Sequence, residues 1–440
     1  MGAVVPVPRP RLLALVLVAI APFALAGISI AFAWLGVTLL VAVIALAAVD
    51  LRSVPRPAAL GVARAAPPQL SIGVPNPVAL RLRNPFSRAL RLRVRDDVPD
   101  SFDVDRRAFD LDLPAAGEAS ADYVARPRHR GTFAFGDVHV RVRGALDLVE
   151  RQGRLPAATP AHVYPDLREI RRYELSLRRG LAYDAGQRRS RLPGGGTVFE
   201  RLREYGPDDD PRSISWTATA RRGRPIAVQY EIERQQRLLV LLDAGRMMSS
   251  TLGKLTKLDH AVNAALMLSY VATGRGDEVG LLGFADGVRA YLPARPGRKQ
   301  FLRVTEELRR IEVTTTEPDY RVAFEFLRAR AARRSLVALF TDLVSEDASR
   351  ALVAAVSALA GRNLVLCCLL ADPGLDELAT GVPRSSTALY ERLVAREARD
   401  ARARALATLR QRGVHVVDVP ADRLTVATIQ RYLELKRRSL

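Results

Sequence analysis

The sequence predicts a multidomain protein of mixed α/β plus β class. It comprises an N-terminal transmembrane helical hairpin, a small β-sandwich, and a C-terminal α/β domain built on a mostly parallel sheet. Three observations predict this. No charged residue occurs from Leu12 to Val49. Apolar residues then alternate with Arg or His through much of 78–144, the period of half-buried strands. From residue 237 onward, uninterrupted apolar runs alternate with helical patterns, as in a sheet covered on both faces. The 440 residues exceed what one ordinary core fills, and a hydrophobic content of 48% with 26% charged residues excludes a disordered chain.

The apolar segment comes first. One helix over Leu12–Val49 would span roughly 57 Å against a hydrocarbon core of about 30 Å. Two short spans joined at "AGIS" (26–29) fit better, with Gly27 and Ser29 as turn formers. A secretory signal would have an apolar core of only about 7–15 residues and a polar mature start. Arg9 and Arg11 precede the segment, and Arg52, Arg56 and Arg64 follow it, so both ends are expected on the inner side. Residues 1–50 are therefore read as a hairpin in the lipid of the inner cell membrane, with 51–440 cytoplasmic. Residues 51–68 read as a Pro/Ala/Arg linker. The adjacent pair Cys367 and Cys368 lies in the apolar run "NLVLCCLL", where neighbours point to opposite faces, so a disulfide framework is excluded. The formal charge of +20 is nearly all arginine, spread along the chain. Without a focused patch it predicts no nucleic-acid binding.

Residues 69–160 come next, with strands expected at 78–84, 89–97, 122–127 and 133–144 and turns at Asn84-Pro85, Pro99-Asp100 and Arg130-Gly131. About seven strands over about 90 residues make a small sandwich. His129 and His139 stand singly and form no ligand cluster. Residues 161–234 form a connecting region. Its Gly194-Gly195-Gly196 lacks the lysine and Ser/Thr of a phosphate loop and reads as a flexible turn.

Residues 235–440 give strands at 237–243, 278–285, 288–293, 335–343, 364–371 and 414–419. Helices are expected at 256–274, 298–311, 319–333, 346–361, 386–412 and 422–437. Ligands in such sheets collect at the carboxyl ends of strands, where Asp243 and Asp342 both sit.

One stretch of the connecting region is distinctive: "REYGPDDDPRSISWTATARR" (203–222). It resembles the signature of the bacterial domain-of-unknown-function 58 family, Arg-Glu-Tyr-x-Pro-Gly-Asp-Asp-x-Arg-x-Ile-x-Trp-x-x-Ser/Thr-Ala-Arg. The matching residues are Arg203, Glu204, Tyr205, Pro207, Asp209, Asp210, Arg212, Ile214, Trp216, Thr219, Ala220 and Arg221, with Asp208 where the family has glycine. The segments "VQYEIER" (228–234) and "RYLELKRRSL" (431–440) are also similar to the family's. The resemblance implies a membrane hairpin, a β-rich segment and a von Willebrand factor A-like domain, working with a MoxR-type AAA+ ATPase on client proteins.

Many A-type domains bind Mg²⁺ through Asp-x-Ser-x-Ser, a distant Thr and a second Asp. The resemblance carries this to Asp243, Thr316 (or Thr315) and Asp342. Here the motif reads "DAGRMMSS", with Gly245 and Met247 at the serine positions. Glycine offers no side-chain ligand and a thioether is too soft for Mg²⁺, so metal is disfavoured and no cofactor is expected. The plainer expectation is that Asp243 and Asp342 accept backbone N–H groups at helix amino termini. An enzymatic alternative would place a divalent ion on Asp208, Asp209 and Asp210, against the plainer reading that nearby arginines pair them. Ile214 and Trp216 are expected on one buried face of an extended segment. The favoured reading is a membrane-anchored, non-enzymatic interaction or assembly protein.

Overall fold

A computed structural model of the chain describes residues 5–166, 168, 170, 193–206, 214–231, 236–330, 334–343 and 346–438. Two compact units result, Met1–Tyr164 and Pro165–Leu440.

The first unit begins with strand β1 (Val5–Pro8), then helix α1 (Pro10–Ile20), a 3-10 turn (Ala21–Leu25) and helix α2 (Ile30–Ser53). The chain turns at 26–28, and Ser29 caps α2 by accepting from the Ala31 N–H, as "AGIS" predicts. The helix starting at Ile30 is long and apolar enough to cross a membrane, whereas Pro10–Leu25 is a shorter apolar helix. Leu17, Ile30 and Trp34 on these helices, and Ile28 in the turn between them, are among the large apolar side chains left exposed.

Strands β2 (Gly61–Ala65), β3 (Leu70–Ser71), β4 (Asn76–Arg83), β5 (Leu90–Asp96), β6 (Phe102–Val104) and β7 (Ala108–Leu113) follow. They are joined by β8 (Glu118–Pro127), β9 (Gly131–Phe135), β10 (Val138–Arg143), β11 (Val149–Leu155) and β12 (Thr159–Tyr164). They form a five-stranded sheet ordered β1-β11-β10-β5-β7, a four-stranded sheet β2-β4-β8-β6 and a three-stranded sheet β3-β12-β9. The period-two reading holds: in "LRLRVRD" every apolar residue is buried and every arginine exposed.

The β-unit is larger than its sequence pattern suggests, because β1 lies ahead of the apolar segment and β2 lies inside the expected linker. Arg64 is the clearest correction. It does not flank a membrane; its guanidinium is buried and pairs with the carboxylate of Asp96 (both side chains 1% exposed). Arg64 also donates to the carbonyls of Ala157 (2.5 Å) and Gly136 (2.8 Å), and Tyr123 donates its hydroxyl proton to Asp96 at 2.6 Å. A buried arginine needs each such acceptor, since an uncompensated interior charge is costly.

The second unit opens with β13 (Pro193–Glu204), helix α3 (Trp216–Arg222) and β14 (Ile226–Glu231), with β13 antiparallel to β14. The triple glycine is thus in a strand rather than a free turn. It falls at a register irregularity between Pro193 and Val198, where missing side chains ease a bulge. Then come β15 (Arg237–Asp243), a small β16–β17 hairpin (Thr251–Leu252, Leu255–Thr256), α4 (Lys257–Gly274), β18 (Glu278–Phe284) and β19 (Val288–Arg295). Helices α5 (Arg298–Arg310) and α6 (Tyr320–Arg330), strand β20 (Leu336–Thr341), helix α7 (Glu346–Ala360) and strand β21 (Leu364–Ala371) follow. Helices α8 (Pro373–Thr380) and α9 (Ser386–Gln411), strand β22 (His415–Pro420) and helix α10 (Ala421–Arg438) complete it.

The main sheet runs β19-β18-β15-β20-β21-β22, parallel except for the antiparallel edge strand β19. Its strands are apolar on both sides because helices cover both. Leu238, Val240 and Leu242 pack with α4, α5 and α10, while Leu239 and Leu241 pack with α6, α7 and α9. Cys368 belongs to the first layer and Cys367 to the second, as their adjacency on a strand requires. Helix α8 was not foreseen. It is eight residues long, too short for a periodic signal, although Asp372 caps it through the Gly374 N–H and Pro373 opens it.

Candidate functional site

The strand order reverses direction beside β15: β18 and β19 lie on one side, β20 to β22 on the other. At such a switch point the carboxyl ends of neighbouring strands leave a crevice. Asp243 ends β15, and Asp342 follows β20 directly; the two strands pair in parallel. Both aspartates are buried.

Asp243 is held by neutral donors. One oxygen accepts the Gly245 N–H at 2.8 Å; the other accepts the Thr341 hydroxyl at 2.6 Å and the Tyr320 hydroxyl at 3.2 Å. Burial raises its pKa above the ordinary carboxylate value, although these hydrogen bonds oppose the shift. The Tyr320 phenol is pushed well up, first by burial and then by the Asp243 charge.

Asp342 is held by cations. Its Oδ2 accepts from the Lys257 ammonium at 2.6 Å, and its Oδ1 accepts from the Arg402 guanidinium at 2.7 Å and the Leu343 N–H at 2.8 Å. Arg402 extends the network to Asp418 at 2.7 Å and to the carbonyls of Leu343 and Leu370, both at 2.9 Å. Lys257 also lies 3.8 Å from Asp372, the cap of α8. Five elements therefore converge on one carboxylate: β20, α4, α9, β22 and the start of α8.

These residues do not fit a divalent cation. Asp342 already has cationic donors on both oxygens, and Gly245 contributes no side chain. A Cβ at position 245 would lie 2.8 Å from Pro318 Cδ and 3.1 Å from Pro318 N, so the loop excludes the serine that metal coordination would want. Thr316 is not brought onto either carboxylate in these contacts. Its hydroxyl pairs with the Thr314 hydroxyl at 3.0 Å, and its carbonyl accepts the Arg246 N–H at 2.8 Å. Among the described residues, no three His, Cys, Asp or Glu side chains gather as a metal site requires.

Sequence reasoning found Asp243 and Asp342 but missed Lys257, Tyr320, Thr341 and Arg402. One signal was present: Lys254, Lys257, Lys299 and Lys436 are the only lysines in an arginine-rich chain. Two of them, Lys257 and Lys436, lie in buried ion pairs, Lys436 with Asp277 at 2.5 Å.

The signature segment is only partly within the described residues. Pro207, Asp209, Asp210 and Arg212, with Asp208, lie outside them, and Arg203 is described by its backbone in β13. Tyr205 N–H donates to the Pro225 carbonyl at 3.0 Å, and Glu204 pairs with Arg224 at 2.9 Å. Ile214 bridges Ala227, so it is extended as expected. Trp216 is not. It starts α3 behind the Ser215 cap and is 73% exposed; Ala220 and Arg221 on the same helix are exposed too. The expectation of a buried face shared by Ile214 and Trp216 is thereby corrected. Ser215 accepts from the Ala218 N–H, and this cap, one residue after Ile214, converts the extended segment to helix from Trp216. Gly223, at φ +65°, then ends the helix in the left-handed region.

The strand carboxyl ends around Asp243 and Asp342 form the crest of this unit; beside it, where Asp372 caps α8, the α8–α9 corner exposes large apolar side chains: Leu378 (52%), Val382 (86%), Tyr390 (70%) and Leu393 (56%). An open cleft between the two helices is lined by Leu375, Leu378, Val382, Pro383 and Arg392.

Comparison with known proteins gives a match to the family described as protein of unknown function DUF58 over residues 201–412. The uncharacterized protein Rv1480 of Mycobacterium tuberculosis is 28% identical over 267 residues, covering 56% of this chain and 82% of its own length. The uncharacterized protein YeaD of Bacillus subtilis is 23% identical over 219 residues, covering 50% of this chain and 52% of YeaD. Among solved structures, the conserved hypothetical protein BatB of Bacteroides thetaiotaomicron is 14% identical, covering 46% of this chain and 99% of that one, at a TM-score of 0.29. The CARDB domain of the PF1109 protein of Pyrococcus furiosus covers 25% of this chain and 94% of its own at 0.17 and 12% identity. Scores at this level carry no argument about the fold.

Proposed function

We infer, for a chain that belongs to the DUF58 family, a membrane-anchored, non-enzymatic role in protein interaction or assembly. Its C-terminal unit is a von Willebrand factor A-like domain, and its crest engages a MoxR-type AAA+ ATPase that acts on client proteins. The observation that carries the reading is the crest itself. Its two carboxylates are consumed by internal partners, while the neighbouring α8–α9 corner turns Leu378, Val382, Tyr390 and Leu393 to solvent. A catalytic carboxylate faces its substrate; a docking surface presents apolar area framed by polar residues. The doubly wound sheet with an antiparallel edge strand supports the A-like assignment.

The anchor in this reading is a hairpin of Pro10–Leu25 and α2, with residues 51–440 on the cytoplasmic side. It is supported by both ends meeting one place in the β-unit. Arg9 donates its backbone N–H to the Leu148 carbonyl at 3.0 Å and pairs with Asp147 at 2.5 Å, while Asp50 accepts from Leu146, Leu148 and Val149. A segment that leaves and returns at one strand end is arranged to enter and exit on one membrane face.

The test uses the full chain in mild detergent with the purified MoxR-type ATPase of the same organism. ATP-dependent co-elution is expected. L378E/L393E should abolish it while leaving the melting temperature within about 1 °C, since exposed substitutions shift stability little. Co-elution indifferent to that double substitution, or none at any nucleotide state, sinks the proposal.

A further inference from the structure

We propose that Lys257 is the resident cation of the crest: its ammonium takes the place of a divalent ion at Asp342, and the domain recognises its partners independently of metal. The proposal rests on the A-like reading of the second unit and specifies how its crest works.

The geometry is that of a closed site. The side chains of Asp342 and Lys257 are 1% and 4% exposed and meet at 2.6 Å. Arg402, 12% exposed, approaches the other oxygen of the same carboxylate at 2.7 Å. An incoming ion would have to displace one of these cations from Asp342 and leave it with its second carboxylate alone, Asp372 at 3.8 Å for Lys257 or Asp418 at 2.7 Å for Arg402. That is the costly way to break an interior ion pair. Lys257 cannot swing aside freely, because it is the first residue of α4 and its backbone N–H donates to the Ser250 carbonyl at 2.9 Å. Thr256, immediately before it, and Asp259, two residues after it, form a reciprocal capping box that fixes the start of the helix.

The arrangement also replaces what a metal would do mechanically. An ion at a strand-end crevice ties loops together through several oxygen ligands. Here Lys257 joins α4 to Asp342 and, at 3.8 Å, to the Asp372 cap of α8, while Arg402 joins α9 to Asp342 and to Asp418 of β22. Helices α8 and α9 carry the exposed apolar corner, so the same cations that neutralise the crest position its neighbouring surface.

The experiment is Mn²⁺ binding to the full chain in detergent, read by the loss of free-ion paramagnetic resonance signal, together with thermal unfolding in EDTA, Mg²⁺ or Mn²⁺. Wild type should bind no Mn²⁺ below millimolar concentration, and its melting temperature should be the same in all three conditions. K257A should melt several degrees lower and regain part of that loss in Mn²⁺, because Asp342 is partly released. If K257A does not fold, K257M/D342N serves instead. Removing both charges should cost less than D342N alone, which leaves the ammonium with only Asp372 at 3.8 Å. Submillimolar Mn²⁺ binding by wild type that D342N removes would overturn the proposal, as would additive effects in K257M/D342N. Either failure leaves ATPase co-elution untouched, whereas loss of co-elution in a metal-indifferent wild type strikes only the partner assignment.

Discussion

Replacing Asp50 by alanine tests how the apolar segment is joined to the β-unit. Asp50 is 1% exposed at the end of α2 and accepts the backbone N–H groups of Leu146 (2.7 Å), Leu148 (2.8 Å) and Val149 (3.0 Å). Leu146 is 46% exposed, so water can replace the carboxylate there; Leu148 and Val149 are 5% and 7% exposed, so at those two it cannot. Two stranded N–H groups at about 1–3 kcal/mol each give a local loss of about 2–6 kcal/mol. Hydrogen exchange on the full chain in detergent reads this directly. The amides of Leu148 and Val149 should lose at least about thirtyfold in protection, since about 1.4 kcal/mol corresponds to a factor of ten. D50N, which keeps one acceptor oxygen, should fall between wild type and D50A. G144A should act like D50A, because a Cβ on Gly144 would overlap the same carboxylate. Unchanged protection at 148 and 149 in D50A would refute the assignment of Asp50 as their acceptor.

Other expectations follow from single contacts. R64M leaves the Asp96 carboxylate with only the Tyr123 hydroxyl among its side-chain partners here, and should cost about 3–5 kcal/mol in urea unfolding; R64M/D96L should be milder than R64M alone. G245S should not create an Mg²⁺ response, and overpacking against Pro318 should lower stability by about 1–3 kcal/mol, measured as the melting temperature with and without Mg²⁺. For Asp243 the folded pKa is raised, so the native state holds that proton more tightly than the unfolded chain does. Its charging penalty is absent below the ordinary carboxylate value, grows as pH rises through the window above it, and is constant beyond. Wild-type stability should therefore fall relative to D243N across that window in a pH series of melting temperatures; parallel curves would contradict it.

Much of this architecture is local and therefore readable. Period-two alternation in "LRLRVRD" and the apolar run "RLLVLLD" each encode how many faces of a strand are covered, because burial acts on successive residues. The signature around Tyr205 and Trp216 carried the resemblance on residue types alone, and the family match over residues 201–412 includes it, yet the helix at Trp216 turned on a cap by Ser215 that competes with an extended pattern. Arg64 shows the limit most plainly. In the sequence it is one more arginine after an apolar segment; in the fold it sits beside Asp96, Gly136 and Ala157.

What the sequence determined by itself was the class of each region, the covered sheet from residue 237, the uncharged segment to Val49, and the two strand-end aspartates. Only the tertiary structure decided what those aspartates face. Lys257 and Arg402 reach Asp342 from 85 and 60 residues away, and Asp50 accepts from N–H donors 96 to 99 residues on. Ion pairs and hydrogen bonds across such separations leave no periodic trace in the chain. Those at Asp342 are set by which strand ends the parallel sheet brings to one edge, and that depends on every crossover being formed.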